Sequence, residues 1–478
     1  MNSKIKKDVS VLMFGAVIAQ LFQLLISPLL TRLYTPEQFG VLAVFVSCSS
    51  VLAAIVSGRY ELAILLPKKE TDAINLFFVV IIISIIICCC FSITFIFLGD
   101  SVNKIIEEKK IVEWLYWIPF MGLLLVLYQV HCNWLNRHRK YSIIAVSDFF
   151  LKLLTESFKL ILGVAHVRFN GLVLGTFVGQ IISLLYINYE ARKKTSIKLR
   201  ALNYEGMVRN IAIYKKFPMY TLPYGMIATF STEFIVLAFT SVDLIAAAGF
   251  FALTRRLLIA PVGLLSASLG RVFYKEATEL IHTPELEKLT GKIFIIIIQV
   301  FSPAFVFLFI WAPILFSYIF GLKWEEAGRY ASCLSPMAFM FLFTSWPERI
   351  YEVANKQNVS FIIQLISDTA RIGTVVFLLY NGVSAYDCIL VYSIISVIYY
   401  LAYFIGIFFV AKFRLFLLKK IFIQIICYCF VSFGVIWTFK MIFSENLIFG
   451  CFFGGSVLIV YYSYILYYLR KKYIENRI

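Results

Sequence analysis

The chain has 478 residues, of which 61% are hydrophobic and 15% charged, and its net charge is +17. Soluble chains have about 25% charged residues and are under half apolar, so this composition excludes an ordinary soluble domain. Apolar runs of about 20 residues, each long enough to cross a hydrocarbon core as a helix, recur along the whole chain. Long continuous runs favour helices over the short alternating strands of a membrane barrel. We therefore predict an all-α polytopic membrane protein.

In chain order, these apolar runs predict about fourteen transmembrane helices. The first run is too long for the core of a signal peptide, and no small-residue cleavage site follows it, so we expect it to be retained. The predicted spans lie near 9–31, 40–66, 73–98, 113–133, 143–165, 169–189, 217–240, 246–274, 291–320, 327–353, 359–380, 386–411, 420–443 and 446–469.

Charge alternates along the loops between these spans. One set is strongly basic, as at 136–140 (NRHRK) and 192–200 (RKKTSIKLR), and the other is short and poor in basic residues. Roughly 28 Lys and Arg fall on the first side and about 8 on the second, the bias expected between cytoplasmic and external loops. We predict that both termini are cytoplasmic. The same bias explains the net charge of +17 without a nucleic-acid partner.

The chain carries an internal repeat. Shifts of about 209 to 220 residues superimpose several short matches in the same order. The matches are Lys6-Lys7 with Lys215-Lys216, Gly40 with Gly249, Asn136-Arg137 with Asn355-Lys356, and Ser147-Asp148 with Ser367-Asp368. Two halves of six helices would both begin on the same side of the membrane, which makes them parallel repeats. We predict an N-terminal lobe at 1–200, a C-terminal lobe at 201–415 and two additional helices at 416–478.

Two packed halves that rock about a central site form the framework of an alternating-access transporter. Prolines lie within or at the edges of many spans, and none follows Pro347. The segment 217–225 (FPMYTLPYG) places two prolines and a glycine at the start of the second half. Proline kinks a helix, and both a static kink and a moving hinge fit this pattern.

Ionisable residues recur inside the predicted spans. Asp148, Lys152, Glu156 and Lys159 have the spacing of one helix face. The others are Arg59, Glu61, Glu233, Arg255, Arg256, Arg271, Glu348, Arg349, Glu352, Asp368 and Arg371. Such groups usually face a bundle interior or a water-filled cavity. Acid–base pairs that hold helices together are the alternative, but buried pairs rarely repay their desolvation, so we favour a hydrated central cavity.

The bases are candidate substrate contacts. Arg255 and Arg256 are the strongest candidates, because adjacent helical residues point about 100° apart and one acid cannot neutralise both. The planar fork of arginine also suits a diphosphate. The predicted substrate-binding residues are Arg59, Lys152, Lys159, Arg255, Arg256 and Arg371. The residues predicted to couple transport to protons or sodium are Glu61, Asp148, Glu156, Glu233 and Asp368, and uncoupled downhill movement is the alternative.

Three segments resemble a known family. They are LLISPLLTRLYTPEQFGVLAVF at 24–45, SGRYELAILLPKK at 57–69 and GFFALTRRLLIAPVGLLSASLGRVFY at 249–274. They resemble the oligosaccharide flippases of the polysaccharide transport family. These are bacterial translocases of O-antigen and capsule repeat units, and they belong to the MATE-like multidrug/oligosaccharidyl-lipid/polysaccharide (MOP) exporter superfamily.

The resemblance implies two six-helix lobes around a V-shaped cleft lined by helices 1, 2, 7 and 8. It implies transport of an undecaprenyl-diphosphate-linked oligosaccharide from the inner to the outer leaflet of the bacterial cytoplasmic membrane. It places Arg59, Arg255 and Arg256 on cleft helices, and it assigns the thirteenth and fourteenth helices to lipid-tail contacts. Membrane lipids, a polysaccharide polymerase and a chain-length regulator are the partners it suggests. The family's cavities are typically cationic, whereas acids and bases are nearly balanced here.

Other functions remain open. A MATE-like exporter of a drug or a peptidoglycan precursor would share the fold. A repeat-unit polymerase would need a large external loop with catalytic groups, and the longest one, at 99–112, is short. No GxxxxGK[ST] phosphate loop occurs, and none of the ten cysteines has zinc-ligand spacing in a polar loop. We therefore expect a transporter with no cofactor, metal or catalytic residue.

Overall fold

The computed structural model describes residues 3–105, 114–167, 169–195 and 202–475. In these ranges the chain forms helices joined by turns, and no strand is present. The long helices are α1 (Ser3–Leu33), α2 (Pro36–Val56), α3 (Glu70–Ile105), α4 (Ile118–Arg137), α5 (Tyr141–Val164), α6 (Gly171–Lys194), α7 (Phe217–Thr240), α8 (Ile245–Leu280), α9 (Pro284–Phe320), α10 (Glu325–Ser345), α11 (Gln357–Tyr380), α12 (Ala385–Ala411), α13 (Leu415–Ile442) and α14 (Leu447–Glu475).

Each of the predicted spans falls on one of these long helices. Within the described ranges, twelve helices are long and apolar enough to cross a membrane. The other two are α5, which carries the predicted stripe of four charges, and α10, which begins with two glutamates. The prediction of an all-α, multi-pass membrane fold is confirmed. Residues 106–113, which include most of the predicted loop 99–112, lie outside the described ranges.

Two predicted spans are too long at their C-terminal ends. The span 40–66 ends as a helix at Val56, because Gly58 and Arg59 both have positive φ angles. Successive left-handed residues interrupt the helical hydrogen bonds, and a short helix, Tyr60–Ala63, follows. Similarly, α10 ends at Ser345 rather than near 353. A turn separates α10 from the short helix Ile350–Val353.

Local sequence explains where several helices begin. Thr35 and Gln38 form a capping box at the start of α2, with Pro36 in the first turn. Arg139 and Asn355, the second of which belongs to one of the repeat matches, both have φ of 55°. Each is followed by a helix of 24 residues, α5 and α11 respectively. The two halves therefore share a turn conformation as well as a helix length at this point.

The chain divides into two compact units, Met1–Ala252 and Leu253–Ile478. In the first, α5 packs between α1 and α6, and α2 packs against α4, α7 and the start of α8. Gly40 and Gly249, which the repeat aligns, lie at this last crossing. A Cβ atom on Gly40 would overlap the carbonyl oxygen of Ile245, and one on Gly249 would overlap that of Pro36. The two helices therefore meet backbone to backbone.

The second unit is built around α9, which packs against α10, α13 and α14. α12 packs against α10 and α11. A cluster of aromatic rings fills the centre: the ring centroid of Phe294 lies 5.0 Å from that of Trp346 and 5.1 Å from that of Phe404. The predicted lobe limits at 200 and 415 remain a prediction.

Candidate functional site

The break after α2 directs the side chain of Arg59 toward α7. Gly58 has a φ of 56° and Arg59 a φ of 59°, a conformation that is uncommon for residues other than glycine. Gly225 in α7 leaves room for the guanidinium, because a Cβ atom there would lie 2.6 Å from Nε of Arg59. A side chain at position 225 would therefore displace Arg59.

Arg59 lies beside an acidic group that is almost fully buried. Glu61 is 4% exposed, and its Oε1 lies 3.7 Å from Nη1 of Arg59. The backbone is fixed by Asn133, whose amide donates to the carbonyl oxygen of Glu61 over 3.0 Å. Nε of Arg59 and Oε2 of Glu61 are buried and have no hydrogen-bond partner among the described residues. In this short helix outside the spans, burial raises the pKa of the Glu61 carboxyl, while Ser57 and Arg59 lower it less.

A first cavity, of about 420 Å³, lies between Arg59 and α7. Four hydroxyl-bearing residues of α7 line it: Thr221, Tyr224, Thr229 and Thr232. Glu233 lies on its wall and accepts a hydrogen bond of 2.7 Å from Ser47 in α2. The cavity therefore combines a guanidinium, a carboxylate and several hydroxyl groups.

A second cavity, of about 340 Å³, shares Arg59 and Thr229 with the first. It is lined by parts of α2, α4, α5 and α6, and Glu61 and Gln180 contribute polar groups. Gln180 is 3% exposed, and its Nε2 has no hydrogen-bond partner among the described residues. Tyr128, also on the wall, donates to Oδ1 of Asp148 over 2.8 Å. We call the two together the Arg59 double cavity.

Two members of the predicted stripe on α5 pair with each other. Glu156 and Lys159 are 1% and 5% exposed, and Nζ of Lys159 lies 3.3 Å from Oε1 of Glu156. Gln23 in α1 donates to the same oxygen over 3.3 Å. Lys152 and Asp148, one and two turns before Glu156, are exposed. The stripe therefore divides into a closed pair and an accessible part.

A similar closed pair occurs in the second unit. Asp368 and Arg371 on α11 form an ion pair, and Asp368 is 8% exposed. The guanidinium carbon of Arg371 lies 5.0 Å from the ring centroid of Tyr399 and 5.9 Å from that of Tyr392. Such cation–π contacts add to the stability of the ion pair. The pairing that the sequence analysis set aside is thus present in both units.

Arg255 and Arg256 open a π-helical turn, Arg255–Ile259, in the middle of α8. Such turns insert an extra residue and are frequent at functional sites. The turn is anchored by the preceding Thr254, whose hydroxyl donates to the carbonyl oxygen of Ala327 in α10 over 2.9 Å. Both arginines are partly buried. Sequence spacing alone does not predict a π turn.

The remaining predicted charges lie at helix ends or on the surface. Arg349 and Glu352 pair with each other over 2.5 Å beyond the end of α10, and both are exposed, as are Glu348 and Arg271. Conversely, the sequence analysis missed Tyr128 and Gln180, and it noted Gly225 only as part of the segment 217–225, not as a contact of Arg59. Gln180 could have been found as a single amide inside the apolar run of α6. Nothing in the sequence indicates that the guanidinium of Arg59 packs against Gly225.

The fold is similar to that of solved transporters. A lipid II flippase MurJ in an inward closed conformation matches with a TM-score of 0.73 at 13% identity, over 95% of this chain and 99% of that one. An inward-facing multidrug resistance MATE family transporter of the MOP superfamily matches with a TM-score of 0.60 at 14% identity, over 83% and 96%. The all-α, MATE-like membrane fold expected from the resemblance is confirmed, and the V-shaped cleft and the helices that line it remain a prediction.

Sequence comparison identifies the family. Curated protein sequences gave no match. The model of a family described as "Polysaccharide biosynthesis protein" matches residues 29–329, which is more than half of the chain and includes the Arg59 double cavity and the π turn of α8. The chain belongs to the polysaccharide biosynthesis protein family.

Proposed function

We propose that the protein is a flippase that moves an undecaprenyl-diphosphate-linked oligosaccharide, an O-antigen or capsule repeat unit, from the inner to the outer leaflet. The observation that carries the proposal is the Arg59 double cavity, a mainly apolar space with several polar groups on its wall, among the long helices of a polysaccharide biosynthesis protein. The fold supports transport rather than polymerisation, since its neighbours are by title a flippase and a multidrug transporter.

The chemistry of the double cavity suits a glycan linked to a diphosphate. The threonine, serine and tyrosine hydroxyls and the amide of Gln180 can exchange hydrogen bonds with sugar hydroxyls. The guanidinium of Arg59 can bind phosphate oxygens in pairs. Each cavity lies within the range of about 300–1,000 Å³ that small-molecule sites occupy. Orphaned buried donors and acceptors are costly, so a ligand that satisfies them gains affinity.

Flipping in proteoliposomes tests the proposal. A fluorescent undecaprenyl-diphosphate oligosaccharide is placed in the inner leaflet, and a membrane-impermeant quencher reports its arrival outside. We expect the purified protein to accelerate quenching and Arg59→Gln to slow it. Arg329→Gln is the matched control, because Arg329 is exposed and its ion pairs in the described part of the chain are with Glu325 and Glu326 of its own helix. A wild-type rate equal to that of protein-free liposomes would refute the proposal.

We also propose, from the sequence, that Arg255 and Arg256 contact the diphosphate of the substrate during transport. The π turn begins at these two adjacent arginines. Arg255→Ala and Arg256→Ala should each reduce export of surface polysaccharide while insertion into the membrane is retained. Normal export from the double variant would remove this role. Lys152 is a further candidate contact, because it is exposed, whereas Lys159 and Arg371 are held in closed pairs.

We further propose that Glu61 couples flipping to a proton gradient. Its carboxyl is buried, borders the second cavity and has one oxygen without a partner among the described residues, so it can take up and release a proton there. Asp148 and Glu233, which also line or adjoin the double cavity, are alternative coupling groups. Glu156 and Asp368 are less suited, because they are closed in ion pairs.

An imposed gradient tests the coupling. We expect a proton gradient, and not a sodium gradient, to accelerate flipping by the wild type but not by Glu61→Gln. A rate indifferent to both gradients would favour downhill movement drawn by consumption of the lipid-linked unit outside.

A peptidoglycan-precursor exporter is the second candidate, because the fold matches a protein titled lipid II flippase. Unlabelled lipid II competing better than the oligosaccharide would favour it.

The charge of the loops supports a location in the bacterial cytoplasmic membrane with both termini inside. The last turn of α6, for example, carries Arg192, Lys193 and Lys194. Reporter enzymes fused to the C-terminus, one active only in the cytoplasm and one only outside, should report a cytoplasmic position. Polymerase and chain-length regulator are the partners we expect beside the membrane lipids and the lipid-linked substrate.

A further inference from the structure

The longest helix of the second unit contains prolines in its interior. α9 has 37 residues and contains Pro303 and Pro313. A proline in a helix interior has no N–H to give to the carbonyl four residues earlier, and its ring crowds that carbonyl. For Pro303 this is the carbonyl of Gln299. In lipid such a carbonyl must find a donor elsewhere, because there is no water to supply one.

The donor comes from α14. The hydroxyl of Tyr461 donates to the carbonyl oxygen of Gln299 over 2.8 Å, and that of Tyr462 donates to the carbonyl oxygen of Val300 over 2.7 Å. The side chain of Gln299 also donates to the hydroxyl of Tyr428 in α13 over 3.1 Å. Both C-terminal helices therefore contact the turn that precedes Pro303.

α14 also contacts α9 on the other side of the proline. A Cβ atom on Gly450 would lie 2.6 Å from Cη2 of Trp311, and one on Gly454 would lie 3.4 Å from Phe307 and from Nε1 of Trp311. Trp311 is fully buried and belongs to a hydrophobic cluster with residues of α13 and α14. The glycines of α14 let the two backbones come close at this point.

The two contacts have the geometry of a brace. Going from Gly450 to Tyr461 along α14 corresponds to going back from Trp311 to Gln299 along α9, so the helices run antiparallel. Pro303 lies between the two contacts. α14 contains no proline, so its own hydrogen bonds are continuous across this interval.

We propose that α14 is a splint across the Pro303 turn of α9, and that Tyr461 and Tyr462 are the positioning residues that fix it. The hydroxyl of Tyr461 replaces the hydrogen bond that the proline removes, that of Tyr462 binds the next carbonyl, and the Gly450–Trp311 contact holds the far side. α14 thereby stabilises α9 on both sides of Pro303. The splint is a property of the second unit and goes beyond the proposed transport function.

A double-variant cycle tests the splint. Tyr461→Phe/Tyr462→Phe removes only the two hydroxyls. We expect the midpoint of thermal unfolding in detergent to fall by about 1–3 °C, since hydrogen bonds between membrane helices are individually weak. Flipping should slow about threefold, the change that about 0.6 kcal/mol produces in an equilibrium. Tyr464→Phe, an exposed tyrosine on the same helix, is the control and should change neither.

Pro303→Ala tests directly whether Tyr461 compensates for the proline. It restores the N–H group, so the Gln299 carbonyl no longer needs Tyr461. In this background Tyr461→Phe, made alone, should leave the unfolding midpoint unchanged, whereas in the wild-type background it should lower it; Tyr462→Phe should cost the same in both, because the Val300 carbonyl does not depend on Pro303. An equal loss from Tyr461→Phe with and without Pro303 would overturn the proposal, as would no loss from it in the wild-type background. The midpoint requires no substrate, so this result is independent of whether the flippase proposal holds.

The contact on the far side has its own matched pair. Gly450→Ala places a methyl group against Trp311, whereas the nearest atom to a Cβ on Gly455 is 4.0 Å away in Phe307. We expect Gly450→Ala to lower the midpoint and Gly455→Ala to leave it unchanged. Equal midpoints for the two would show that α14 does not brace α9 at Trp311 and would overturn the splint.

Discussion

The surroundings of Arg59 and of Arg371 are built differently, although both are bases near an acid in apolar sequence. Arg59 and Glu61 are 3.7 Å apart beside two cavities, and each retains a buried atom without a hydrogen-bond partner in the described residues. Arg371 forms a direct ion pair with Asp368 and lies against tyrosine rings. Arg59 and Glu61 can still form hydrogen bonds with a ligand, whereas Arg371 is already paired with Asp368 and packed against tyrosine rings. Charged residues in apolar sequence therefore serve two roles here, ligand binding and helix cohesion.

The largest effect should come from opening a closed pair. Lys159→Met leaves the carboxylate of Glu156 buried without its charge partner, and we expect a loss of about 3–5 kcal/mol in the free energy of unfolding. Glu156→Gln/Lys159→Met removes both charges and should recover most of it. Thermal unfolding in detergent measures both. Arg329→Met, at an exposed pair, should cost under about 1 kcal/mol. If the double variant is no more stable than the single one, Glu156 and Lys159 are not a cohesive pair.

Arg59→Gln should instead affect transport. Losing hydrogen bonds to a charged phosphate costs about 1.5–3 kcal/mol, which corresponds to flipping roughly ten- to a hundredfold slower. The unfolding midpoint should change little. Arg371→Gln should show the opposite pattern, a lower midpoint with flipping reduced only in proportion to the folded protein. Matching patterns for the two variants would abolish the distinction between binding and cohesion.

Gly225→Ala should act on transport through the position of Arg59. The added methyl group would overlap the guanidinium, which must then move out of its place between the two cavities. We expect a fall in flipping smaller than that of Arg59→Gln, about three- to tenfold if about 1 kcal/mol of contact is lost. The control is Gly434→Ala in α13, where an added Cβ would have no atom within 4 Å. An unchanged flipping rate for Gly225→Ala would mean that the position of Arg59 is irrelevant.

Gln180→Leu should have the smallest effect, and it should separate binding from stability. Replacing an orphaned buried amide by an apolar group of similar size is neutral or stabilising, so the unfolding midpoint should stay or rise. Flipping should fall about threefold, because the second cavity loses about 0.5–1 kcal/mol of hydrogen bonding to the sugar. Gln424→Leu in α13 removes another orphaned amide oxygen far along the chain and should leave flipping intact. A lower midpoint for Gln180→Leu would show that this amide serves the fold.

The sequence predicted the helices well because hydrophobicity alone decides where a chain can cross lipid. It placed the ends of α2 and α10 too late, since the break at Gly58 and Arg59 depends on two φ angles that no apolar pattern records. It identified Arg59, Glu61 and Glu233 as a class, because charges in apolar runs are conspicuous. It did not separate Arg59 from Arg371, since distances of a few ångströms between different helices decide that. Gly225 and Gln180 are ordinary in sequence and become important only through what faces them.

The crossing of α2 with the start of α8 has a consequence for how these segments can move. Gly40 and Gly249 bring the two main chains together with no side chain between them. A contact padded by flexible side chains can loosen gradually, but bare backbones either touch or part. The junction is therefore suited to switch between two arrangements, with the backbones touching or apart, and even a single methyl group would keep them apart. Alanine, valine and phenylalanine at position 249 would separate the two backbones by increasing distances.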